Sequence, residues 1–215
     1  MTGEPRGLFI TGTGTGVGKS VAAAWLVRSL KGIYWKPVQS GLEGETDSQM
    51  VRRLAGLEAS ACCPSTHVFK KPRSPHEAAA AEGVTIALDD FHCPAGAGVL
   101  VVEGAGGVLV PLNDRDCMVD LMVRLALPVV LVAGTALGTI NHTLLSLEAL
   151  RARRLRVAGV ILNGSADLAN REAIRHHGRV GVLAEIPPID PLTGAALDRE
   201  VRVHPDWKKR LEETG

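Results

Sequence analysis

Long apolar runs and an excess of charge of either sign are both missing from this sequence. No apolar stretch approaches the roughly 18 residues that cross a bilayer, and the first residues, MTGEPRGLFITG, lack the basic start and apolar core of a secretory signal. We therefore expect a cytoplasmic protein without a membrane partner. With 24 basic and 23 acidic residues, the net charge of +1 offers little attraction for nucleic acid, and no nucleic-acid partner is expected.

Cysteine is also scarce, and its spacing matches neither disulfides nor a zinc site. The chain has four cysteines, which are Cys62, Cys63, Cys93 and Cys117. The adjacent pair does not readily bridge to itself, which favours reduced thiols. Adding His67 and His92 still gives none of the spaced ligand pairs that bind zinc, so no zinc site is predicted.

Short apolar runs alternate with helical patterns along the chain. The runs, rich in Val, Ile and Leu, predict buried parallel strands at Gly7–Thr11, Gly32–Lys36, Gly98–Glu103, Pro128–Ala133, Val157–Asn163 and Val180–Ile186. Helices are predicted at Lys19–Leu30, Asp47–Leu57, Pro75–Glu82, Met118–Leu125, Asn141–Arg153 and Ala169–His177. This order predicts an α/β fold, a doubly wound, mostly parallel sheet flanked by helices, with ligands at the carboxyl ends of the strands.

The chain length is compatible with one domain over residues 1–215, because no repeat or low-complexity linker interrupts it. The last stretch, PPIDPLTGAALDREVRVHPDWKKRLEETG, contains Pro and Gly breaks and a charged amphipathic end. It predicts a surface loop followed by a short C-terminal helix.

A glycine-rich loop, GTGTGVGKS from Gly12 to Ser20, stands between the first strand and the first helix. Its spacing differs by one residue from the usual phosphate loop, which would place a glycine where Thr13 stands. Glycine lets successive backbone N–H groups point at an anion, and the helix dipole adds to the attraction. Lys19 is then expected to reach the β- and γ-phosphates and Ser20 to bind magnesium; the alternative is a glycine-rich turn with a solvated lysine.

A dinucleotide-binding loop is the other interpretation of this stretch. Counted from Gly12, the third glycine of G-x-G-x-x-G falls where Val17 stands. The second strand also ends in Lys36 instead of the carboxylate that binds ribose. Nicotinamide cofactors are therefore not predicted.

Two strand ends add charges near the loop. The segment YWKPVQSG places Lys36 at the end of the second strand, and GVLVVEGAGG places Glu103 at the end of a later one. A second ammonium suits phosphoryl transfer, and a strand-end carboxylate suits magnesium. The alternative for each is a charged side chain in water. Asp47, which opens a helix, is either a second metal ligand or a first-turn acid of the common kind.

Together the segments GTGTGVGKS, KPVQSG, SPHEAAAAEG, VEGAGGVLVPL and LGTINHTLLSLEAL resemble the dethiobiotin synthetase family, within the P-loop NTPase superfamily. The resemblance runs from about Phe9 to Pro188 in the family's order, and the family's glycine loop has the same extra residue. It implies ATP- and Mg²⁺-dependent carboxylation of 7,8-diaminononanoate with CO₂. The resulting carbamate takes the γ-phosphoryl group, and the second amine closes the ring.

The resemblance also implies roles for individual residues. Lys19 and Lys36 stabilise the phosphate and carbamate, Thr15 and Ser40 donate hydrogen bonds nearby, and the metal is held by Ser20, Asp47 and Glu103. The implied nucleotide-binding residues are Gly14, Gly16, Val17, Gly18, Lys19, Ser20, Val21, Asp47, Glu103, Gly104, Ala105, Gly106, Asn163, Gly164, Ile186, Pro187 and Pro188. The implied substrate-binding residues are Ser40, Gly106, Gly107, Leu137, Gly138 and Asn141.

A homodimer is implied as well, with LGTINH (Leu137 to His142) entering the partner's site and the helix starting at Asn141 binding the diamine's carboxylate. This chain departs from the family's pattern in three places. Gly16 stands where some relatives carry an acid, so we expect fewer metal or ribose contacts there. The segment IALDDFHCPAGAG is short for the usual covering helix, and the tail after Pro188 matches no motif.

The alternative from another functional class is a partition-type ATPase, which switches partners through ATP-driven dimerisation. Such proteins carry a lysine early in the glycine loop, where this chain has only Thr and Gly between Gly12 and Val17. They also show a basic DNA-binding face or a membrane-binding terminal helix. Neither feature is evident in the sequence, which favours the synthetase.

Overall fold

The computed structural model describes residues 7–94 and 98–212. Within these ranges the strands are β1 (Gly7–Gly12), β2 (Ile33–Trp35), β3 (Val38–Ser40), β4 (Cys62–Cys63), β5 (His67–Phe69), β6 (Leu100–Gly107), β7 (Val129–Gly134), β8 (Val157–Asn163), β9 (Val182–Ile186) and β10 (Arg202–Val203). The helices are α1 (Lys19–Leu30), α2 (Asp47–Ala55), α3 (Pro75–Ala81), α4 (Met118–Leu125), α5 (Thr139–Ala152), α6 (Leu168–Gly178), α7 (Gly194–Glu200) and α8 (Trp207–Glu212).

One large sheet organises the structure. Its strand order is β10-β9-β8-β7-β1-β6-β2-β4, and every neighbouring pair is parallel except β9 with β10. From β1 the chain passes to β2 and β4 on one side and returns to place β6 between β1 and β2. It then continues on the other side of β1 with β7, β8 and β9. The carboxyl end of β1 therefore lies at the topological switch point, where ligands bind in open α/β sheets. A second sheet pairs only β3 and β5.

The core lies on both faces of the large sheet, because successive strand residues point to opposite sides. On β1, Phe9 packs into one apolar cluster while Leu8 and Ile10 pack into the other. The Phe9 side is covered by residues of α3, α4, α5 and α6, and the opposite side by residues of α1, α2, α7 and α8. This arrangement confirms the predicted doubly wound, mostly parallel sheet flanked by helices.

The predicted elements are confirmed, with small shifts at their ends. The bounds of α1, α4 and β8 are as predicted. Helix α2 ends two residues early because Gly56 takes a left-handed conformation with φ of 64°, which an L-residue in a helix does not adopt. The predicted helix start at Asn141 was wrong: α5 begins at Thr139, after Gly138 with φ of 94°.

The C-terminal prediction was right about a short final helix, α8, but wrong about the surface loop before it. The tail is not a surface loop followed by one helix, since it forms α7, β10 and α8. Leu197 of α7 is fully buried, and Trp207 of α8 packs on Trp25 of α1 with ring centroids 4.8 Å apart. The Pro and Gly breaks that suggested a loop separate short elements that cover one face of the sheet.

The segment before β6 was expected to lack the usual covering helix. Its described residues contain only one turn of 3₁₀-helix, at Leu88–Asp90, and residues 95–97 lie outside the described ranges. Ile86 and Phe91 are each 1% exposed and pack into the core from this segment. In the described ranges, no helix has the length and apolar character needed to cross a membrane.

The position of Trp207 predicts that the tail is part of the folded core. We expect Trp207→Ala to lower the free energy of unfolding by about 3–5 kcal/mol, because it removes a buried indole and leaves a cavity. Urea unfolding followed by circular dichroism measures the change. Leu168→Ala, which shortens a side chain that is 68% exposed, is the control and should shift stability by about 0.5 kcal/mol or less. Equal midpoints for the two variants would contradict the prediction.

Candidate active site

The glycine-rich loop connects β1 to α1 at the switch point of the sheet. Gly16 and Gly18 have φ of 75° and 92°, values that L-residues rarely adopt. A Cβ at Gly18 would also collide with the side-chain amide of Asn163. The Nζ atom of Lys19 donates to the carbonyl oxygen of Gly14 at 2.9 Å, which folds the lysine back over the loop. The loop thus has the compact shape expected of a phosphate cradle.

Four polar side chains from different elements meet beside this loop. Ser20 Oγ lies 3.0 Å from Asp47 Oδ1 and 2.9 Å from Glu103 Oε1. Lys36 Nζ lies 2.7 Å from Asp47 Oδ2 and 3.0 Å from Glu103 Oε1. Two carboxylates, a hydroxyl and an ammonium therefore form one connected cluster, which we call the Ser20–Lys36–Asp47–Glu103 cluster.

The fold explains why these side chains meet. Lys36 follows β2 and Glu103 lies on β6, and these strands are parallel neighbours with their carboxyl ends at the same sheet edge. Lys36 is 3% exposed and Glu103 is 1% exposed. The alternative that each is a charged strand end in water is therefore wrong for both.

Asp47 is placed by the start of α2. The N-cap of this helix is Thr46, which forms a reciprocal capping box with Gln49. Because Thr46 and Gln49 form the cap, the Asp47 carboxylate is free to reach Lys36 and Ser20. Its first-turn position and its place in the cluster hold together, although the sequence had presented them as alternatives.

Tyr34 also joins the cluster, and the sequence analysis assigned it no role. Its hydroxyl lies 2.9 Å from Glu103 Oε2, and the side chain is fully buried. Burial raises the pKa of Tyr34 and the charges of Glu103 and Asp47 raise it further, so the phenol stays protonated and donates a hydrogen bond to the carboxylate. The one signal in the sequence was that Tyr34 stands two residues before Lys36, and no known motif gave that spacing a role.

The charges of the cluster compensate one another. Burial alone lowers the pKa of Lys36, but Glu103 and Asp47 outweigh it and raise that pKa above its ordinary value. Burial alone raises the pKa of Asp47, but Lys36 and Ser20 outweigh it and lower that pKa. Lys36 is therefore an ammonium, and Asp47 is a carboxylate at neutral pH.

Lys19 is in a different electrostatic state. Burial lowers the pKa of its ammonium to about 8, and the nearby Lys36 lowers it as well, while Glu103 and Asp47 offset only part of the effect. The negative charge of a polyphosphate bound beside Lys19 would favour the protonated form of this lysine. The free site thus favours an anion beside Lys19.

The other predicted residues lie on the loop, on the first turn of α1, on β3 and on β6. Lys36 Nζ lies 3.4 Å from the carbonyl oxygen of Gly104, where the 104–107 backbone starts, and Gly12 pairs with Gly107 across β1 and β6. The hydroxyl oxygen of Ser40 is buried without a hydrogen-bond partner. Thr15 lies exposed on the loop. Val17 on the loop and Val21 on α1 are half-buried. Ala105 and Gly106 lie on β6.

The residues predicted to bind the base lie on the other side of the loop. Asn163 Nδ2 donates to the carbonyl oxygen of Val17 at 3.2 Å. The backbone N–H of Gly164 donates to the carbonyl oxygen of Ile186 at 2.9 Å, which joins the ends of β8 and β9. Pro187 and Pro188 follow directly, the first half-buried and the second exposed. The structure thus brings these residues together next to the glycine loop.

The predicted carboxylate-binding segment does not join the cluster within one chain. Leu137 is fully exposed, Gly138 is the N-cap of α5, and Asn141 is exposed on its first turn. In the described part of the chain, no hydrogen bond links these residues to the Ser20–Lys36–Asp47–Glu103 cluster.

Comparisons with known proteins identify the family. A family model described as an AAA domain matches residues 6–196. The ATP-dependent dethiobiotin synthetase BioD of Paramagnetospirillum magneticum is 50% identical over 192 residues, which cover 89% of this chain and 93% of that protein. The chain belongs to the dethiobiotin synthetase family. The BioD of Brucella melitensis biotype 2 is 48% identical over 190 residues, 88% of this chain and 90% of its own.

Solved structures share the fold at much lower sequence identity. A ParA family ATPase from Chlorobium tepidum superimposes with a TM-score of 0.54 at 13% identity and covers 91% of both chains. The apo structure of McdA from Cyanothece superimposes with a TM-score of 0.54 at 14% identity, covering 97% of both chains. These likenesses confirm the P-loop NTPase-like fold and say nothing further about activity.

The lowered pKa of Lys19 predicts that nucleotide binding depends on pH. We expect ATP affinity, measured without metal, to fall as pH rises through about 8, because the ammonium that the phosphates attract is then deprotonated. Near that pH, binding should also take up protons. Calorimetry in two buffers with different ionisation enthalpies measures both effects.

The control is Lys19→Arg, whose guanidinium stays charged over the whole range. Its ATP affinity should be lower overall but should not depend on pH between about 7 and 9. A similar pH dependence in both proteins would show that Lys19 does not cause it.

Proposed function

We propose that this protein is an ATP-dependent dethiobiotin synthetase that carboxylates 7,8-diaminononanoate with CO₂ and closes the ring to dethiobiotin, releasing ADP and phosphate. The Ser20–Lys36–Asp47–Glu103 cluster beside the glycine loop is the observation on which the proposal rests. The relatives at about half identity over most of the chain support it. The function places the protein in biotin synthesis.

The proposal assigns Mg²⁺ to Ser20, Asp47 and Glu103. Magnesium prefers oxygen ligands in compact geometry, and the Ser20 hydroxyl already lies within 3.0 Å of one oxygen of each carboxylate. When bound, Mg²⁺ neutralises charge on the β- and γ-phosphates of ATP. The three side chains hold the ligand positions before the ion arrives, since they come from α1, α2 and β6 of one packed core.

Two lysines meet the charge that phosphoryl transfer develops. Lys19 lies on the loop and Lys36 at the cluster, so they approach the transferring group from different elements. Fixed positive charge stabilises the spread of negative charge over the transferring phosphoryl group. The protein needs no nucleophile of its own, because the carbamate attacks the γ-phosphate and the second amine then displaces phosphate.

Polar groups without partners favour a substrate at the same edge. The buried Ser40 hydroxyl is unpaired, and an unpaired buried polar group costs free energy unless something binds it. We assign Ser40, with Thr15 on the loop, to hydrogen bonds with the carbamate or the transferring phosphoryl group. Gly106 and Gly107 lie beside the diamine in this assignment.

The base of ATP is assigned to the Asn163 side of the loop. Asn163 is the last residue of β8 and Ile186 the last of β9, and Gly164, Pro187 and Pro188 follow them. Together these residues line one end of the loop. Gly14, Gly16, Val17, Gly18 and Val21 complete the nucleotide site around the phosphates. Gly16 has φ of 75° and nothing within 4 Å of an added Cβ, which is consistent with few contacts at this position.

The carboxylate of the diamine is assigned to Leu137, Gly138 and Asn141 of the partner subunit in a homodimer. The full exposure of Leu137 supports that assignment. The homodimer, the single domain over residues 1–215 and the cytoplasmic location remain predictions. The partition-type alternative has no support beyond the shared fold.

Product formation tests the proposal directly. The protein, incubated with 7,8-diaminononanoate, bicarbonate, ATP and Mg²⁺, should produce dethiobiotin that mass spectrometry detects. Omitting the diamine should suppress phosphate release, because no carbamate then forms to accept the γ-phosphoryl group. Phosphate release that is independent of the diamine, with no cyclic urea, would overturn the proposal.

Lys36→Ala should separate ATP binding from turnover. We expect ATP binding to be retained and turnover to fall by a factor of about 100 or more, since the ammonium matters most when charge moves in the transition state. The control is Lys71→Ala, which removes an exposed lysine. Rapid mixing and steady-state kinetics measure the two effects, and a collapse of ATP affinity in Lys36→Ala would make Lys36 a binding residue only.

The same variant should also be less stable without metal. Lys36 is the ammonium shared by two carboxylates, and removing one partner of a buried ion pair costs about 3–5 kcal/mol. Mg²⁺ should recover part of that loss by replacing the missing charge. Thermal unfolding with and without Mg²⁺ measures this recovery, and it also checks that lost turnover is not lost folding.

A further inference from the structure

We propose that Tyr34 is a positioning residue that fixes Glu103 as a one-oxygen ligand of the metal. This inference rests on the proposed function, because it takes Glu103 as a metal ligand. It concerns a residue of β2 that lies two positions before Lys36 and that the sequence analysis gave no role.

The two oxygens of Glu103 have different partners. Oε1 lies 2.9 Å from Ser20 Oγ and 3.0 Å from Lys36 Nζ, whereas Oε2 lies 2.9 Å from Tyr34 OH. Oε1 is thus held by Ser20 and Lys36, which belong to the cluster, and Oε2 is held by Tyr34. Since both oxygens are held, the carboxylate cannot rotate about its terminal bond without breaking a buried hydrogen bond.

Among the described residues, Glu103 is the one hydrogen-bond partner of the Tyr34 hydroxyl. The ring packs in the apolar cluster that covers the α1 and α2 side of the sheet. A phenylalanine would fill nearly the same space, so packing alone does not require the hydroxyl. A buried tyrosine hydroxyl needs a partner, and β2 and β6 run in parallel register with Tyr34 opposite Val101, two residues before Glu103.

Neighbours that orient a metal ligand commonly change metal affinity by about 10-fold or more when they are removed. Without the Tyr34 hydroxyl, Glu103 gains rotational freedom and Oε2 is left buried without a donor. The carboxylate would then turn to satisfy both oxygens from the Ser20 and Lys36 side. Metal binding must reverse that rotation, so affinity falls.

The test uses Tyr34→Phe, which removes one oxygen atom and keeps the ring. We expect Mn²⁺, titrated by electron paramagnetic resonance into the complex of the protein with a non-hydrolysable ATP analogue, to bind about 10-fold more weakly. The Mg²⁺ concentration for half-maximal activity should rise in parallel. Analogue affinity in the presence of a chelator should stay unchanged.

The matched control is Ile174→Val, which removes a methyl group from a fully buried residue of α6, on the other face of the sheet. It should lower stability without changing Mn²⁺ affinity. A second arm repeats Tyr34→Phe in a Glu103→Gln background, where the effect on Mn²⁺ should disappear if Tyr34 acts through Glu103.

Unchanged Mn²⁺ affinity in Tyr34→Phe, or an equal change in Ile174→Val, would overturn the inference and leave Tyr34 as a packing residue. An effect that persists at full size in the Glu103→Gln background would overturn it as well. A failure of the proposed function would give a different result. The unmodified protein would then make no dethiobiotin, but it would still bind Mn²⁺, and the comparison of its Mn²⁺ affinity with that of Tyr34→Phe would remain valid.

Discussion

The structure depends on one constraint, which is that the Glu103 carboxylate is buried and must be compensated. An isolated buried carboxylate costs many kcal/mol, so it persists only with charge and hydrogen-bond partners. Lys36 supplies the charge, and Ser20 and Tyr34 supply hydrogen bonds. Those three partners come from β2, the residue after it and the first turn of α1, which ties the central sheet to the glycine loop.

The same compensation prepares the site for its ligands. In the free protein Asp47 and Glu103 share the single positive charge of Lys36, while Lys19 has only partial access to their charge. A nucleotide with a divalent cation brings charges of both signs, which can be exchanged for these contacts. The cluster is therefore arranged for a metal and a polyphosphate together more than for either alone.

The placement of the cluster follows from the order of the strands. Because β6 and β7 flank β1 and the chain changes side between them, the carboxyl end of β1 opens into a cleft. The loop needs glycine at Gly16 and Gly18 to turn within that cleft. The tail covers the same face of the sheet as α1, and the contact of Trp207 with Trp25 stabilises that helix.

Much of this could be predicted from the sequence. Apolar runs without alternation determined β1, β6, β7 and β8, and the glycine loop with Gly-Lys-Ser determined where α1 begins, since both signals are local in the chain. Lys36 and Glu103 were predicted to share an edge because parallel strands end together.

Only the tertiary structure decided the rest. The short strands β3, β4, β5 and β10 and the part of the tail before α8 were not predicted, because elements of a few residues carry almost no periodic signal and form through packing on the core. The role of Asp47 depended on a capping box that left its carboxylate free. Tyr34 was missed because its hydroxyl has a partner only where β2 and β6, which are distant in the chain, lie side by side in the sheet.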